Sequence, residues 1–330
     1  MSKRHFSKLV AVSVLLLPVL AWAQDPFSLA REKIERYKQA ATAAAAPPMA
    51  PIAHREPPNR NDLLDAFGLF QGAGADETKD AKVRKEYAEL LSLLGYYDLA
   101  AAQLERLAAE SPQDAVLWRA AGMAWAESGP ACDARALAAL RKSLDLDPNS
   151  EGAADAWFYS GHVQHRAGQY DAAAQSYGEA LTRKADHVRA VIGKAALDTR
   201  AGRIVEASST LDAVGRAAQP YDIETRQLLR RALADFQAGG TQVPDDGAAQ
   251  AAYSKLLYRA GRLPDAVTAG RRAAELKPDD VDMLNFLGAM FMQAGKADEA
   301  RGAYEKSLAV KPDQPGITEA LRQLGGQPGP

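Results

Sequence analysis

A spacing of 34 residues constrains this chain more than any other feature. Gly261 and Gly295, Ala266 and Ala300, and Pro278 and Pro312 are each separated by that interval. The segment from Val281 to Gln314 shows the unit whole. Leu284, Leu287, Gly288 and Phe291 recur at helical spacing on one face. Gly295 breaks that helix, because glycine alone turns there without a Cβ penalty. Ala300, Tyr304, Ser307 and Leu308 then form the facing stripe of a second helix, which Pro312 stops. A helix pair this short cannot bury its apolar faces alone, so copies must stack on one another.

The pattern recurs upstream. Tyr87, Leu91, Gly95, Ala100, Leu104 and Pro112 match it position for position. Trp118, Gly122, Trp125, Gly129, Ala136, Leu140 and Pro148 follow, with a two-residue insertion in the turn around Cys132. Trp157, Gly161, Gly168, Ala173, Tyr177 and Ala180 make a third unit. Val191, Ala195, Gly202, Ala207, Leu211 and Pro220 make a fourth. Tyr253, Leu257, Gly261, Ala266 and Pro278 resume the spacing before the final copy. Alanine holds the same place in every full unit: Ala100, Ala136, Ala173, Ala207, Ala266 and Ala300. A small residue there lets two helices approach closely. Residues 222–246 break the rule. One long helix, Ile223 to Ala238, runs into Gly239-Gly240, and Leu229 stands where a small residue belongs. A kink or a division into two lobes is expected there.

A 34-residue helix pair with these marks resembles the tetratricopeptide repeat. The match covers residues 81–314 apart from the irregular 222–246. The resemblance implies an all-α solenoid of helix-turn-helix pairs wound as a right-handed superhelix, with about six full repeats. Four units are expected over 81–221 and two over 247–314, with residues 315–324 as a capping helix and a tail after it. The resemblance also implies that first helices line a concave surface where partners bind.

The segment ahead of the repeats has three parts. Residues 1–23 read as a secretory signal: Lys3, Arg4 and Lys8, an apolar run from Leu9 to Leu20, and the small-x-small site Ala21-Trp22-Ala23. The run contains Pro18 and falls short of the roughly 20 residues a membrane span needs. Residues 26–45 read as a helix with Phe27, Ala30, Ile34 and Tyr37 on one face. Residues 46–80 read as a Pro- and Gly-rich linker enclosing a short apolar segment, 61–70.

Charge and cysteine content narrow the chemistry. The chain has 40 basic and 42 acidic residues; without the three basic residues of the signal, the balance is 37 to 42, a net charge of −5. Such a chain is not expected to coat nucleic acid. Cys132 is the single cysteine, so no internal disulfide framework forms; it is either an unpaired thiol or a site of intermolecular pairing. Sequence signatures of a nucleophile elbow, a zinc helix, a redox dithiol or a phosphate loop are missing, and no enzyme activity or cofactor is expected. His162 and His165 sit three apart on one helix, but zinc needs three or four ligands.

The side of each first helix left open by packing is the remaining candidate site. The third unit places Phe158, His162, His165 and Arg166 there, and the fourth Arg189 and Arg200. The irregular unit adds Arg226 and Arg230, and the next Lys255, Tyr258 and Arg259. This surface is basic within an acidic protein. Arginine forks bind carboxylates in pairs of hydrogen bonds, which suits an acidic peptide segment or a chain-terminal carboxylate. The competing reading pairs these residues with nearby Asp and Glu of the chain itself. The Lys and Asn pattern of the family's chaperone-tail clamp is missing. The expectation is a periplasmic protein-interaction adaptor serving a cell-envelope machine, such as pilus assembly, secretion, or outer-membrane or polysaccharide export, and not membrane-spanning after signal cleavage. A self-assembling scaffold and an accessory protein binding an acidic glycan are the alternatives.

Overall fold

The computed structural model describes residues 26–45, 58–213, 223–240 and 242–325. The signal, most of the proline-rich linker and Pro220 lie outside these residues. All regular structure among the described residues is helical. Two compact units divide at Pro148/Asn149.

The first unit holds α1 (Pro26–Ala45), α2 (Arg60–Gly72), α3 (Ala81–Leu94), α4 (Tyr97–Glu110), α5 (Ala115–Glu127) and α6 (Asp133–Leu146). The pairs α3–α4 and α5–α6 are two repeats, and α4 packs on α5. The insertion at Cys132 forms one turn of 3-10 helix, Pro130–Cys132. The first helix, which the proline-rich linker joins to the rest, is docked: α1 packs against α2. Its apolar stripe explains why, since Ala30 and Ile34 are buried and the Phe27 ring lies 5.2 Å from that of Phe70. Phe70 in turn stacks on Tyr87 of α3 at 5.8 Å, extending the first repeat's core backwards. Ion pairs fix the register: Arg31 grips Glu86 at 2.8 Å and Lys33 meets Asp65 at 2.8 Å.

The second unit begins with the repeats α7 (Ala153–Arg166) with α8 (Tyr170–Arg183) and α9 (Val188–Arg200) with α10 (Ile204–Ala213). A single helix, α11 (Ile223–Ala238), intervenes. The pairs α12 (Gly247–Arg259) with α13 (Leu263–Leu276) and α14 (Val281–Gln293) with α15 (Ala297–Val310) follow, and α16 (Pro315–Gly325) closes on α15. In α16 Leu324 is buried while Arg322 and Gln323 face outward, a polar cap on an apolar repeat end.

The recurring alanines do the packing their spacing predicts: all six have no exposed surface. Close approach is severe at Gly288, where an added Cβ would lie 2.4 Å from the Tyr304 ring. Gly161 and Gly193 press on opposite helices against one ring, that of Tyr177. In the turn, Gly295 takes φ +71°, a region that residues with a Cβ enter at a cost. Aspartates cap first helices: Asp114 accepts from the backbone of Val116 and Leu117, and Asp246 from Ala248 and Ala249. The tryptophans pack beneath cations: Lys142 lies 3.7 Å from Trp118, Arg135 3.6 Å from Trp125 and Arg183 5.5 Å from Trp157.

The irregular stretch does not divide the molecule. The compact units separate at 148/149 instead. α11 packs on both α9 and α12, and α10 also meets α12. Its Leu229 and Leu233 are completely buried.

Candidate partner-binding surface

The residues singled out from the sequence all lie in the second unit, on or beside α7, α9, α11 and α12. Around α7, Phe158 is not on an open face. It is buried, stacked between Tyr177 at 6.1 Å and His187 at 5.0 Å. The helical wheel could not foresee this, because the ring that covers Phe158 comes from the turn before α9. Arg189 lies across this aromatic group, 4.6 Å from the Phe158 ring, and donates to the Tyr159 hydroxyl at 2.9 Å.

His165, its neighbour His162 and Arg166 are half-buried along the same helix. His165 sits edge-on to Tyr170 and Tyr177. Burial, His162 and then Arg200 push its pKa down to about 4, so it is neutral in the folded protein at pH 7. Arg200 covers the Tyr170 ring at 3.7 Å and donates to Asp235 of α11 at 3.2 Å.

Arg226 and Arg230 lie on α11. Arg230 donates to the carbonyl of Ala260 at 2.7 Å, at the C-terminal end of α12, where carbonyls lack helical partners. Arg226 reaches the same end beside Gly261. On α12 itself, Lys255 and Arg259 both pair with Asp212 of α10, Lys255 at 3.2 Å. These contacts hold the Asp212 carboxylate below its usual range, although burial opposes them. Tyr258 packs edge-on to Phe286 of α14 at 5.2 Å. The pairing of basic residues with the chain's own carboxylates thus describes Arg200, Lys255 and Arg259. Arg230 is engaged with the end of α12.

Sequence reasoning missed three contributors. His187 caps α9 by accepting from the Ala190 backbone at 3.2 Å through Nδ1. Its Nε2 therefore carries the proton and donates to Asp155 at 3.1 Å. Its place just before the first apolar residue of α9 was the available signal. Asp212 and Asp235 gave none, since their partners are 35 to 47 residues away. Elsewhere in the unit, an open groove of about 750 Å³ lies between α13 and α15, floored by Leu284, Leu287 and Phe291 and rimmed by Arg271, Glu299 and Lys306. Among the described residues, no three His, Cys, Asp or Glu side chains are placed to hold a metal ion. No helix among them is long and apolar enough to cross a membrane.

Stacked helix pairs with interhelical alanines and paired surface charges define a helical-repeat scaffold for protein interactions. The chain belongs to the tetratricopeptide repeat family: two family models described as tetratricopeptide repeat match it, one over residues 164–231 and the other over 134–188, 226–281 and 271–315. Proteins of this family bind protein partners and are generally not enzymes. The chain is 30% identical over 200 residues to cellulose synthase operon protein C of Xanthomonas axonopodis pv. citri; the match covers 59% of this chain and 12% of that protein. Similar solved structures include the C-terminal part of a TPR repeat-containing protein from Cytophaga hutchinsonii, at 14% identity and a TM-score of 0.43, covering 88% of this chain and 99% of that one. A tetratricopeptide repeat protein from Parabacteroides merdae is 13% identical with a TM-score of 0.39, covering 91% and 100%.

Proposed function

We propose that the chain is an exported scaffold of the bacterial envelope that gathers components of a polysaccharide-export machine in the periplasm. The observation that carries this reading is the 30% identity to cellulose synthase operon protein C. The basic, apolar and small-residue order of residues 1–23 supports export. Protein contact through the first helices α7 and α9 suits the side chains they carry: Arg189 lies on the Tyr159 hydroxyl at 2.9 Å, and His162 and Arg166 are half-buried further along α7. An acidic partner segment is the complement to that surface, and its attachment weakens as salt rises.

Crosslinking and affinity purification from the periplasm and membranes test the proposal. The mature chain, beginning at Gln24, is expected in the periplasmic fraction together with envelope-polysaccharide components. Arg166→Glu combined with Arg189→Glu is expected to lose the partner while keeping the helical circular-dichroism spectrum. A cytoplasmic protein with an intact N-terminus would overturn the export reading. Undiminished capture by the double variant would remove the α7–α9 face from it.

A further inference from the structure

In an ordinary pair of this chain, the first helix touches the second helix of the preceding pair, as α9 meets α8 and α14 meets α13. The same step runs from α10 directly to α12. The pairs α9–α10 and α12–α13 are therefore joined without α11, which lies against the two first helices, α9 and α12. Geometrically, α11 is an extra helix laid on an already continuous stack.

Its inner stripe is Leu229, Ala232, Leu233 and Phe236, all buried, at positions i, i+3, i+4 and i+7. They enter the core that contains Val191, Ile192, Ala195, Leu256 and Leu257. This is how an amphipathic helix occupies a groove. Its polar fastenings come from side chains: Asp235 to Arg200, Arg230 to the Ala260 carbonyl, and Gln237 to Tyr253 at 2.8 Å and Arg262 at 3.2 Å.

We propose that α9 and α12 form an exchangeable helix-binding groove, and that α11 is its resident occupant. The partner it fits is an amphipathic helix with two leucines four residues apart, an aromatic three further on, and a carboxylate just before the aromatic to meet Arg200. Being part of the same chain, α11 competes at high effective concentration, so the groove stays closed to weak ligands and opens to a helix that reproduces the pattern. This deepens the scaffold reading and rests on it for the existence of a partner. The assay below uses the chain's own helix, so its failure leaves the envelope reading to be decided by the purification.

The full mature chain with Leu233→Asp and Phe236→Asp undocks α11. A fluorescently labelled peptide of residues 223–238 is the probe. Anisotropy is expected to show saturable binding to the variant, at least about a hundredfold tighter than to the wild-type chain, whose groove is occupied. Adding Arg200→Glu is expected to weaken that binding. Hydrogen exchange on the wild-type chain supplies a readout that needs no variant: α11 amides are expected to exchange ahead of those in α9 and α12. The proposal fails if α11 exchanges only together with those helices, or if the folded variant leaves the peptide unbound. It fails equally if the variant loses cooperative unfolding, since α11 would then be part of the obligatory core. A wild-type dimer that protects α11 of one copy on the other would make a second copy the occupant and overturn the heterologous partner.

Discussion

At the scale of single residues, the strongest determinants are contacts where a methyl group has no room. Gly288 lies against the Tyr304 ring, so Gly288→Ala forces the ring or its helix to move. Thermal unfolding should show a loss of roughly 1–3 kcal/mol, with the helical spectrum retained. His165 makes a prediction about acid. Its folded pKa of about 4 lies below its ordinary value of 6.5, so the unfolded chain binds the proton first. Stability is then lost as pH falls from about 6.5 towards 4, and is intact above that window. Replacing His165 with Gln should flatten the melting temperature against pH across that interval; an unchanged slope would show that another group controls it. The small residues were legible in the sequence because a 34-residue period repeats them on a fixed face. The environment of His165 was not, because Tyr170, Tyr177 and Arg200 come from other helices.

At the scale of helices, boundaries follow local chemistry and docking follows distant chemistry. Asp246 holds the first backbone amides of α12. Asp246→Ala should cost about 1 kcal/mol in chemical denaturation. The pairs were readable because a turn glycine and an alanine mark each one, and a proline closes most of them. The attachment of α1 was not, because the residues that receive its stripe and its charges, Phe70 and Glu86, lie far along the chain, Glu86 55 residues beyond Arg31. A double-mutant cycle with Arg31→Ala and Glu86→Ala should return a coupling of about 1 kcal/mol, near the upper end for a partly exposed pair. The same limit explains the candidate site. A helical wheel places Lys255 and Arg259 on a face, but Asp212, 43 and 47 residues earlier, decides that they are already paired.

At the scale of the molecule, each unit carries its own apolar core and its own neighbour-to-neighbour packing. Repeat stability is built from such local terms, so residues 149–330 produced alone should keep a cooperative thermal transition. Noncooperative melting of that fragment would make the two units interdependent. The tryptophans add an optical consequence. After residue 23, tryptophan occurs only at positions 118, 125 and 157, on α5 and α7. Indole emission therefore reports on the middle of the chain, and the helices from α10 to α16 carry no indole of their own. Phe236→Trp would place a lamp on the buried side of α11. Its emission would be blue while the helix is seated and would shift red when the helix leaves.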